Sequence, residues 1–505
     1  MTALSLDRLR RELQAFTEAI SREIYLAHSG QKATAELQPL YAKYADAMSD
    51  ESLALVRDAF GAAAPGSDEA RGLRLLLDSQ VESQASRVLA ALDEREIEWE
   101  GQAMIALPDG GKVPFQRAAI DLANSNDRAA RLALERARAG LVRAELAPMR
   151  LEHFQREREI VEGLGIAPGY NATFDVLAGF SLFDLRAECE RFLRDTQAMW
   201  DEVYPEFVKR ILGISPAEAT RADALALMRA REFDAGFPWE PMQDRILGQV
   251  REMGISPDAD GRVIFDTGDR EGKRSRAFCS PVRVPEEVYL VLRPHGGQND
   301  WNTFLHELGH ALHFAYMRPA LPFEYRWLGD NSITEGYAML FDHRMQDPRW
   351  LLRYASLGKS AVAHFLRSAG FEALQFLRRY CAKLIYETHL YGGDVPWSAL
   401  PDLYVQLLTG ATTFRYDPAD AFVDVDPRYY AARYLRAWQL QALLNETLVD
   451  RFDDDWWRNP HAGPWVVHEL FGHGQRELAQ EQAARVSGKP LSFAPLVRSI
   501  ERLLG

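Results

Sequence analysis

Helical periodicity extends over nearly the whole chain and constrains its fold more than any other feature. In the first stretch, apolar residues recur at steps of three and four, as at Leu6, Leu9, Leu13, Phe16 and Ile20. Two segments differ: residues 97–116 surround a Gly-Gly turn and predict a β-hairpin, and residues 256–297 contain the strand-like runs Val263–Phe265 and Val288–Leu292. The sequence therefore predicts a mainly α fold with a small β-sheet.

Composition narrows the class of protein further. The chain has 505 residues, of which 47% are hydrophobic, which suffices for a large core. Its 59 Lys and Arg against 73 Asp and Glu give a net charge of −14, which argues against nucleic acid or an anionic membrane as a partner. We find no run of about 20 apolar residues that would span a membrane, and no signal peptide.

The cysteines indicate the redox compartment. Cys189, Cys279 and Cys381 are odd in number and far apart in sequence. This spacing argues against a disulfide framework or a thiolate zinc site. We therefore predict a cytoplasmic protein.

The segment His306-Glu307-Leu308-Gly309-His310 is the strongest chemical signal. Asp300 is a suitable N-cap and Pro319 a stop, which predicts a helix from about 300 to 317. Histidines four apart project from one face of a helix, so both can bind one Zn²⁺. Glu307 can then take a proton from zinc-bound water, whose pKa falls to about 7. The alternative is an ordinary helix whose two histidines pair with carboxylates.

A third zinc ligand is expected on a following helix, as in zinc sites of the gluzincin type. Glu335 lies 25 residues after His310, which leaves room for a loop and a return helix. The competing interpretation is structural: Ser332 would be an N-cap and Glu335 its partner in a capping box.

Two further residues lie near these ligands in sequence. Asp342, seven residues after Glu335, shares its helix face and could accept a hydrogen bond from a ligand histidine. An exposed carboxylate is an equal alternative. His313, three residues after His310, is either a residue supporting the ligands or a core histidine, and the core interpretation is preferred.

The run Ala277-Phe278-Cys279, the strand that ends at Arg293-Pro294, and the segment from Asp300 to His313 resemble the catalytic region of thimet oligopeptidase and oligoendopeptidase F. These are zinc metallopeptidases. The resemblance covers the last 250 residues, and Glu335 and Asp342 match the family's third ligand and second acidic position. It implies a two-lobed helical body with a deep channel that admits short peptides. It also implies that the strand Val288–Leu292 lies along the site and pairs with an extended peptide.

The family stabilises the oxyanion with tyrosines from a late helix. Tyr429 falls on one family tyrosine, whereas Arg436 and Asp424 replace a later tyrosine and a histidine. Tyr430 and Tyr434, four apart on one face, are substitutes for that role. Packing is the alternative for all three tyrosines.

The sequence thus predicts a helical region over residues 1–180 and a catalytic zinc-peptidase region over 181–505, parts of one body. The leading hypothesis is a zinc-dependent peptidase for short oligopeptides that uses one Zn²⁺ per chain. The alternatives are a zinc hydrolase of a non-peptide amide or another specialised small molecule, which the substitutions at 424 and 436 motivate, and a silent binding protein. The run from His468 to His473 is not a second zinc motif, because histidines five apart diverge on a helix.

Overall fold

Residues 4–505 are described by a computed structural model, and they are mainly helical, as the sequence predicts. The first half of the chain forms twelve α-helices: α1 (Leu6–His28), α2 (Gln38–Lys43), α3 (Asp50–Ala62), α4 (Asp68–Gln102), α5 (Ala118–Asn124), α6 (Arg128–Leu141), α7 (Ala147–Gly163), α8 (Gly169–Ala178), α9 (Leu182–Asp195), α10 (Gln197–Phe207), α11 (Arg221–Met228) and α12 (Met242–Glu252).

The second half carries the candidate site and begins with the sheet. Its helices are α13 (Gln298–Tyr316), α14 (Phe323–Trp327), α15 (Asn331–Asp342), α16 (Pro348–Tyr354), α17 (Lys359–Gly392), α18 (Leu400–Thr412), α19 (Tyr430–Phe452), α20 (Ala462–Glu469), α21 (Ala479–Ser487) and α22 (Ala494–Leu504).

Five short strands form two small sheets in the described residues. β1 (Met104–Ala106) and β2 (Lys112–Pro114) make the predicted hairpin, although it begins later than expected because α4 continues to Gln102. β3 (Val263–Asp266), β4 (Phe278–Arg283) and β5 (Glu287–Val291) make the second sheet in the order β3-β5-β4.

The order of the second sheet corrects one expectation. β5 pairs in parallel with β3 and antiparallel with β4, so it is the central strand. Its backbone groups are used on both sides, and the strand Val288–Leu292 has no free edge for a peptide. The strand next to the candidate site is β4 instead, because the amide of Cys279 reaches Glu307 on α13.

Two large hydrophobic cores organise the molecule. The first lies among α1, α3, α4, α7 to α10, α18, α22 and the C-terminal part of α17. The second lies among α12, α13, α15, α16, α20, α21 and the strands β3 and β5. The first core includes residues on both sides of the predicted boundary at 180/181, which itself stays a prediction.

Helices α17 and α19 join the two cores. On α17, Phe365 belongs to the second core and Phe371 to the first. On α19, Leu435 packs in the first core and Leu444 in the second. The candidate site on α13 and α15 therefore lies where the two cores meet, against α19.

Gly309 permits the close approach of α13 to α15. A Cβ atom at this position would lie 2.6 Å from the Cα of Ala338 and 2.8 Å from the carbonyl oxygen of Tyr337. These are backbone atoms of α15, which cannot move aside as the end of a flexible side chain can. The sequence thus places a glycine where two helices that carry candidate ligands touch.

None of the helices described here combines the length and the apolar character that crossing a membrane requires.

Adding one methyl group at Gly309 tests the close contact between α13 and α15. We expect Gly309→Ala to lower the free energy of unfolding by about 1–3 kcal/mol, because the methyl group overpacks the interface. Gly410→Ala is the control: Gly410 is also helical, and a Cβ there meets nothing within 4 Å. It should leave the stability unchanged or raise it by up to about 1 kcal/mol. Equal urea-unfolding curves for the two variants would contradict the role assigned to Gly309.

Candidate metal centre

His306 and His310 project from α13 towards α15. The helix starts at Gln298, two residues earlier than predicted, with Gly297 as N-cap. Asp300 does not cap it, because the Asp300 carboxylate accepts hydrogen bonds from the amides of His295 and Gly296, both at 2.6 Å. The two imidazole rings are nearly perpendicular, with centroids 4.9 Å apart.

Glu335 on α15 completes a three-ligand cluster. Its Oε2 atom lies 3.4 Å from Nε2 of His306 and 3.7 Å from Nε2 of His310. The alternative interpretation of Glu335 as part of a capping box is wrong, because the N-cap of α15 is Asp330, which accepts from the amide of Ser332. Glu335 is buried and faces the histidines.

The geometry of this cluster suits a zinc ion. Ligand atoms of all three residues lie within 4.8 Å of one another. Tetrahedral zinc with bonds of about 2.0–2.1 Å separates its ligand atoms by about 3.3–3.4 Å, close to the 3.4 and 3.7 Å between Oε2 of Glu335 and the two Nε2 atoms. Within the described residues, the buried Oε2 atom of Glu335 makes no hydrogen bond. Two imidazole nitrogens and an unpartnered carboxylate oxygen thus fit a His₂Glu zinc site.

Neighbouring side chains orient both imidazoles. Nδ1 of His306 donates to Oδ2 of Asp342 at 2.8 Å, since a carboxylate only accepts. Nδ1 of His310 is hydrogen-bonded to Oγ1 of Thr334 at 2.8 Å. Because Nδ1 is used in each ring, Nε2 is the nitrogen that faces Glu335, and the protonated Nδ1 of His306 leaves its Nε2 lone pair available to a metal.

Asp342 has a further partner that sequence reasoning missed. Its Oδ1 atom lies 2.5 Å from Nδ1 of His343, the next residue. Burial would raise the pKa of Asp342, but His343 and His306 outweigh burial and lower it. Asp342 therefore stays ionised as an acceptor for the ligand histidine, and the exposed-carboxylate interpretation is wrong, because Asp342 is buried.

The three candidate ligands differ in their titration. Burial lowers the pKa of His310. Burial also opposes the charge of His306, but its acidic neighbours Asp342, Glu335 and Glu307 raise its pKa well above the ordinary value. The pKa of Glu335 is lowered because its histidine neighbours outweigh burial. A cation at this point would take the place of the proton on His306.

Glu307 lies beside the ligands and is anchored to the sheet. Its Oε2 atom accepts a hydrogen bond of 2.7 Å from the amide of Cys279 on β4. In the part of the chain described, Oε1 has no hydrogen-bond partner. Burial and the charge of Glu307 raise the pKa of the Cys279 thiol well above its usual value, so this thiol stays protonated and is a poor metal ligand.

Of the three predicted tyrosines, Tyr430 contacts the centre directly. Its hydroxyl donates to Oε1 of Glu335 at 2.8 Å. The ring of Tyr434 packs edge-on against that of Tyr430, with centroids 4.9 Å apart. Burial raises the pKa of both tyrosines, and the charge of Glu335 adds to the effect. Both hydroxyls therefore remain neutral donors.

The structure corrects the role predicted for Tyr429. This residue is fully buried in the first core, and its hydroxyl donates to Oδ1 of Asn171. Arg428 and Tyr429 both adopt left-handed backbone angles, with φ of 52° and 58°. This turn just before α19 sends Tyr429 into the core while Tyr430 faces Glu335.

His313, Asp424 and Arg436 also lie outside the centre. The His313 ring is fully buried against Phe314, Tyr337 and Phe471, and burial lowers its pKa to about 3, which makes it a neutral core residue. Asp424 pairs with Arg379 and accepts from Tyr404.

Arg436 is a structural residue as well. Its guanidinium lies 4.0 Å from the ring centre of Phe180 and 3.8 Å from Asp330, the N-cap of α15. It helps to hold α15, the helix that carries Glu335, and it does not face the three candidate ligands. The run from His468 to His473 lies at a helix end, as predicted, because α20 ends at Glu469 and Gly474 has a φ of 60°.

Two cavities border the centre. One of about 510 Å³ is lined by His306 and Asp342 and lies between the two cores. The other, of about 320 Å³, is lined by Tyr430 and Arg433. A continuous channel stays a prediction.

A scan against protein-family models and a search of curated proteins found no match to this chain. The resemblance to thimet oligopeptidase and oligoendopeptidase F therefore stays a prediction, and the case for function depends on the site itself.

The hydrogen bond from His306 to Asp342 generates a prediction about metal affinity. We expect Asp342→Asn to weaken zinc binding by about 10- to 100-fold, because the imidazole loses an ionised acceptor. Thr334→Val should weaken it less, since the bond from His310 goes to a neutral hydroxyl. Competition with a chromophoric chelator measures both. An affinity in Asp342→Asn equal to that of the unaltered protein would contradict the assignment.

Proposed function

We propose that this protein is a zinc-dependent metallopeptidase that hydrolyses peptide bonds in short oligopeptides. The observation that carries the proposal is the convergence of His306 Nε2, His310 Nε2 and the unpartnered Glu335 Oε2, with Glu307 next to them. His₂Glu is a donor set typical of catalytic zinc, which keeps a fourth position open. A purely structural zinc site would instead be closed by four protein ligands.

Zinc bound there would supply a Lewis acid that polarises a carbonyl and makes water acidic at neutral pH. Glu307 is the general base of the proposal. Oε2 is held by the Cys279 amide, so the free Oε1 takes a proton from the attacking water and passes it to the leaving amine. The backbone anchor fixes the carboxylate without neutralising it.

Tyr430 is the proposed oxyanion donor. Its hydroxyl stays protonated and touches Glu335, so a small rotation about the side chain would turn it towards a substrate oxygen. Tyr434 packs on the Tyr430 ring and positions it. Arg436 cannot serve in place of the family's later tyrosine, because it is committed to Asp330 and Phe180.

A zinc hydrolase that acts on a non-peptide amide or another specialised small molecule is the second candidate. The burial of Asp424 and Arg436 in structural ion pairs favours it, since the family's usual residues are missing there. If zinc-loaded protein cleaved no member of a library of short peptides, the result would favour this second candidate. A protein without stoichiometric zinc would select the third hypothesis, a silent binding protein.

The proposed location is the cytoplasm. Cys189, Cys279 and Cys381 are all free thiols, and each is at least partly buried. Free thiols are typical of proteins from a reducing compartment.

Replacing the general base tests the mechanism. We expect Glu307→Gln to bind one zinc per chain, measured by metal analysis, and to lower kcat for peptide cleavage by about 10²- to 10⁴-fold. Glu286→Gln is the control, because Glu286 is exposed and makes no ion pair among residues 4–505. Full activity of Glu307→Gln would rule the mechanism out.

Substitutions at two adjacent tyrosines distinguish the oxyanion donor from a packing residue. Tyr430→Phe should lower kcat by about 10²- to 10³-fold with little change in zinc content. Tyr429→Phe should leave kcat unchanged and cost about 0.5–1.5 kcal/mol of stability, because only the bond to Asn171 is lost. The opposite ranking of the two kcat values would contradict the assignment.

A further inference from the structure

The cavity of about 510 Å³ beside the metal centre has a distinctive lining. Its lining includes His306, one of the three candidate ligands, and Asp342, which orients that histidine, so the cavity borders the metal centre on the side of His306. Helices α11, α13, α15, α17, α19 and α22 contribute its walls. This space therefore lies among helices of both hydrophobic cores and borders the metal centre at His306.

Most of the cavity wall is apolar and suits a flexible chain of methylene groups. Met228, Met339, Phe365, Phe376 and Trp438 supply thioether and aromatic surface. Long side chains such as Lys and Arg bury their aliphatic stems against surfaces of this kind while their charged ends seek a polar partner.

The charged groups of the wall are paired, with one exception. Arg229 forms two hydrogen bonds with Asp234, at 2.8 and 3.2 Å. Asp342 accepts from His306 and His343. Glu372 on α17 is the exception: within residues 4–505 it makes no hydrogen bond and no ion pair.

An unpaired carboxylate in such surroundings is unfavourable. Burial raises the pKa of Glu372 to about 7, the nearby charge of Asp342 acts in the same direction, and His343 opposes it. Glu372 is half-buried, and a carboxylate that is partly removed from water is stabilised when a cation pairs with it. Among residues 4–505, no cationic side chain forms an ion pair with Glu372.

We propose that the cavity is a substrate-binding subsite and that Glu372 pairs with the basic end of a Lys or Arg side chain that flanks the scissile bond. The assignment of this side chain to a substrate rests on the proposed function. The apolar wall binds the aliphatic stem, and the planar guanidinium or the ammonium reaches the carboxylate. Glu372 is then the residue that determines preference for basic peptides.

Peptide cleavage tests the preference. Two fluorogenic peptides differ only in carrying arginine or its uncharged isostere citrulline on both sides of the scissile bond. At pH 8 we expect kcat/KM to be about 10- to 100-fold higher for the arginine peptide than for the citrulline peptide. This ratio corresponds to the free energy of a hydrogen bond to a charged group. Glu372→Gln should abolish the preference for arginine over citrulline, whereas Glu372→Asp, which keeps the charge, should retain part of it.

The control is Glu501→Gln on α22, which removes the same charge from an exposed position close to the cavity-lining residue Ile500. It should keep the full arginine preference. Equal kcat/KM for the two peptides with the unaltered protein would overturn the subsite, even though cleavage itself would support the peptidase.

Direct binding separates the subsite from catalysis. Calorimetry compares butylguanidinium with the uncharged butylurea, using both chelator-treated and zinc-loaded protein. We expect the cation to bind at least about tenfold more tightly, and Glu372→Gln to remove the difference. Equal binding of the two probes would overturn the subsite. Cation binding that depends on Glu372, found together with no peptide cleavage, would support the basic-group site and contradict the peptidase proposal.

Discussion

The approach of α15 to α13 at Gly309 is the contact on which the candidate site depends. Because no Cβ stands between the helices, Glu335 comes within 3.4 and 3.7 Å of the two Nε2 atoms. Asp342, two helical turns after Glu335, reaches His306 through the same interface. One close helix pair thus supplies all three candidate ligands and the acceptor that orients one of them.

The electrostatics of the site follow from this packing. Glu335 and Asp342 are both buried next to two imidazoles, so the cluster without a metal holds a proton on His306. A zinc ion held by these residues would supply positive charge at the same point in place of that proton. Around the cluster, Glu307 is held by a backbone amide, and Tyr430 remains a neutral donor. Tyr430 is thereby kept in the protonation state that its proposed role as a donor requires.

Sequence spacing predicted the fold class and the residues that meet at the cluster, because helix periodicity fixes which side chains share a face. His306 and His310, and then Glu335 and Asp342, are separated by whole helical turns. Local geometry outside that periodicity was not predictable. Tyr429 and Tyr430 exchange roles because of two left-handed residues at 428 and 429 that no sequence pattern indicates. The central position of β5 depends on a parallel pairing with β3, although β4 lies between these two strands in sequence.

Contacts between distant segments were also missed. Glu372 follows His306 by 66 residues and carries no motif, so only the packing of α17 against the second core reveals its position at the cavity wall. The amide of Cys279 and the hydroxyl of Thr334 are likewise defined by tertiary structure. Sequence thus identified the candidate ligands, whereas the groups that orient them and shape the adjoining space required the fold.

X-ray absorption spectroscopy at the zinc edge tests the central claim, that His306, His310 and Glu335 hold one zinc ion. The account predicts a first shell of nitrogen and oxygen alone at about 2.0–2.2 Å, with the outer-shell scattering of two imidazoles. His310→Ala should remove one imidazole from that signal. A sulfur scatterer at about 2.3 Å, or a spectrum without two imidazoles, would contradict it.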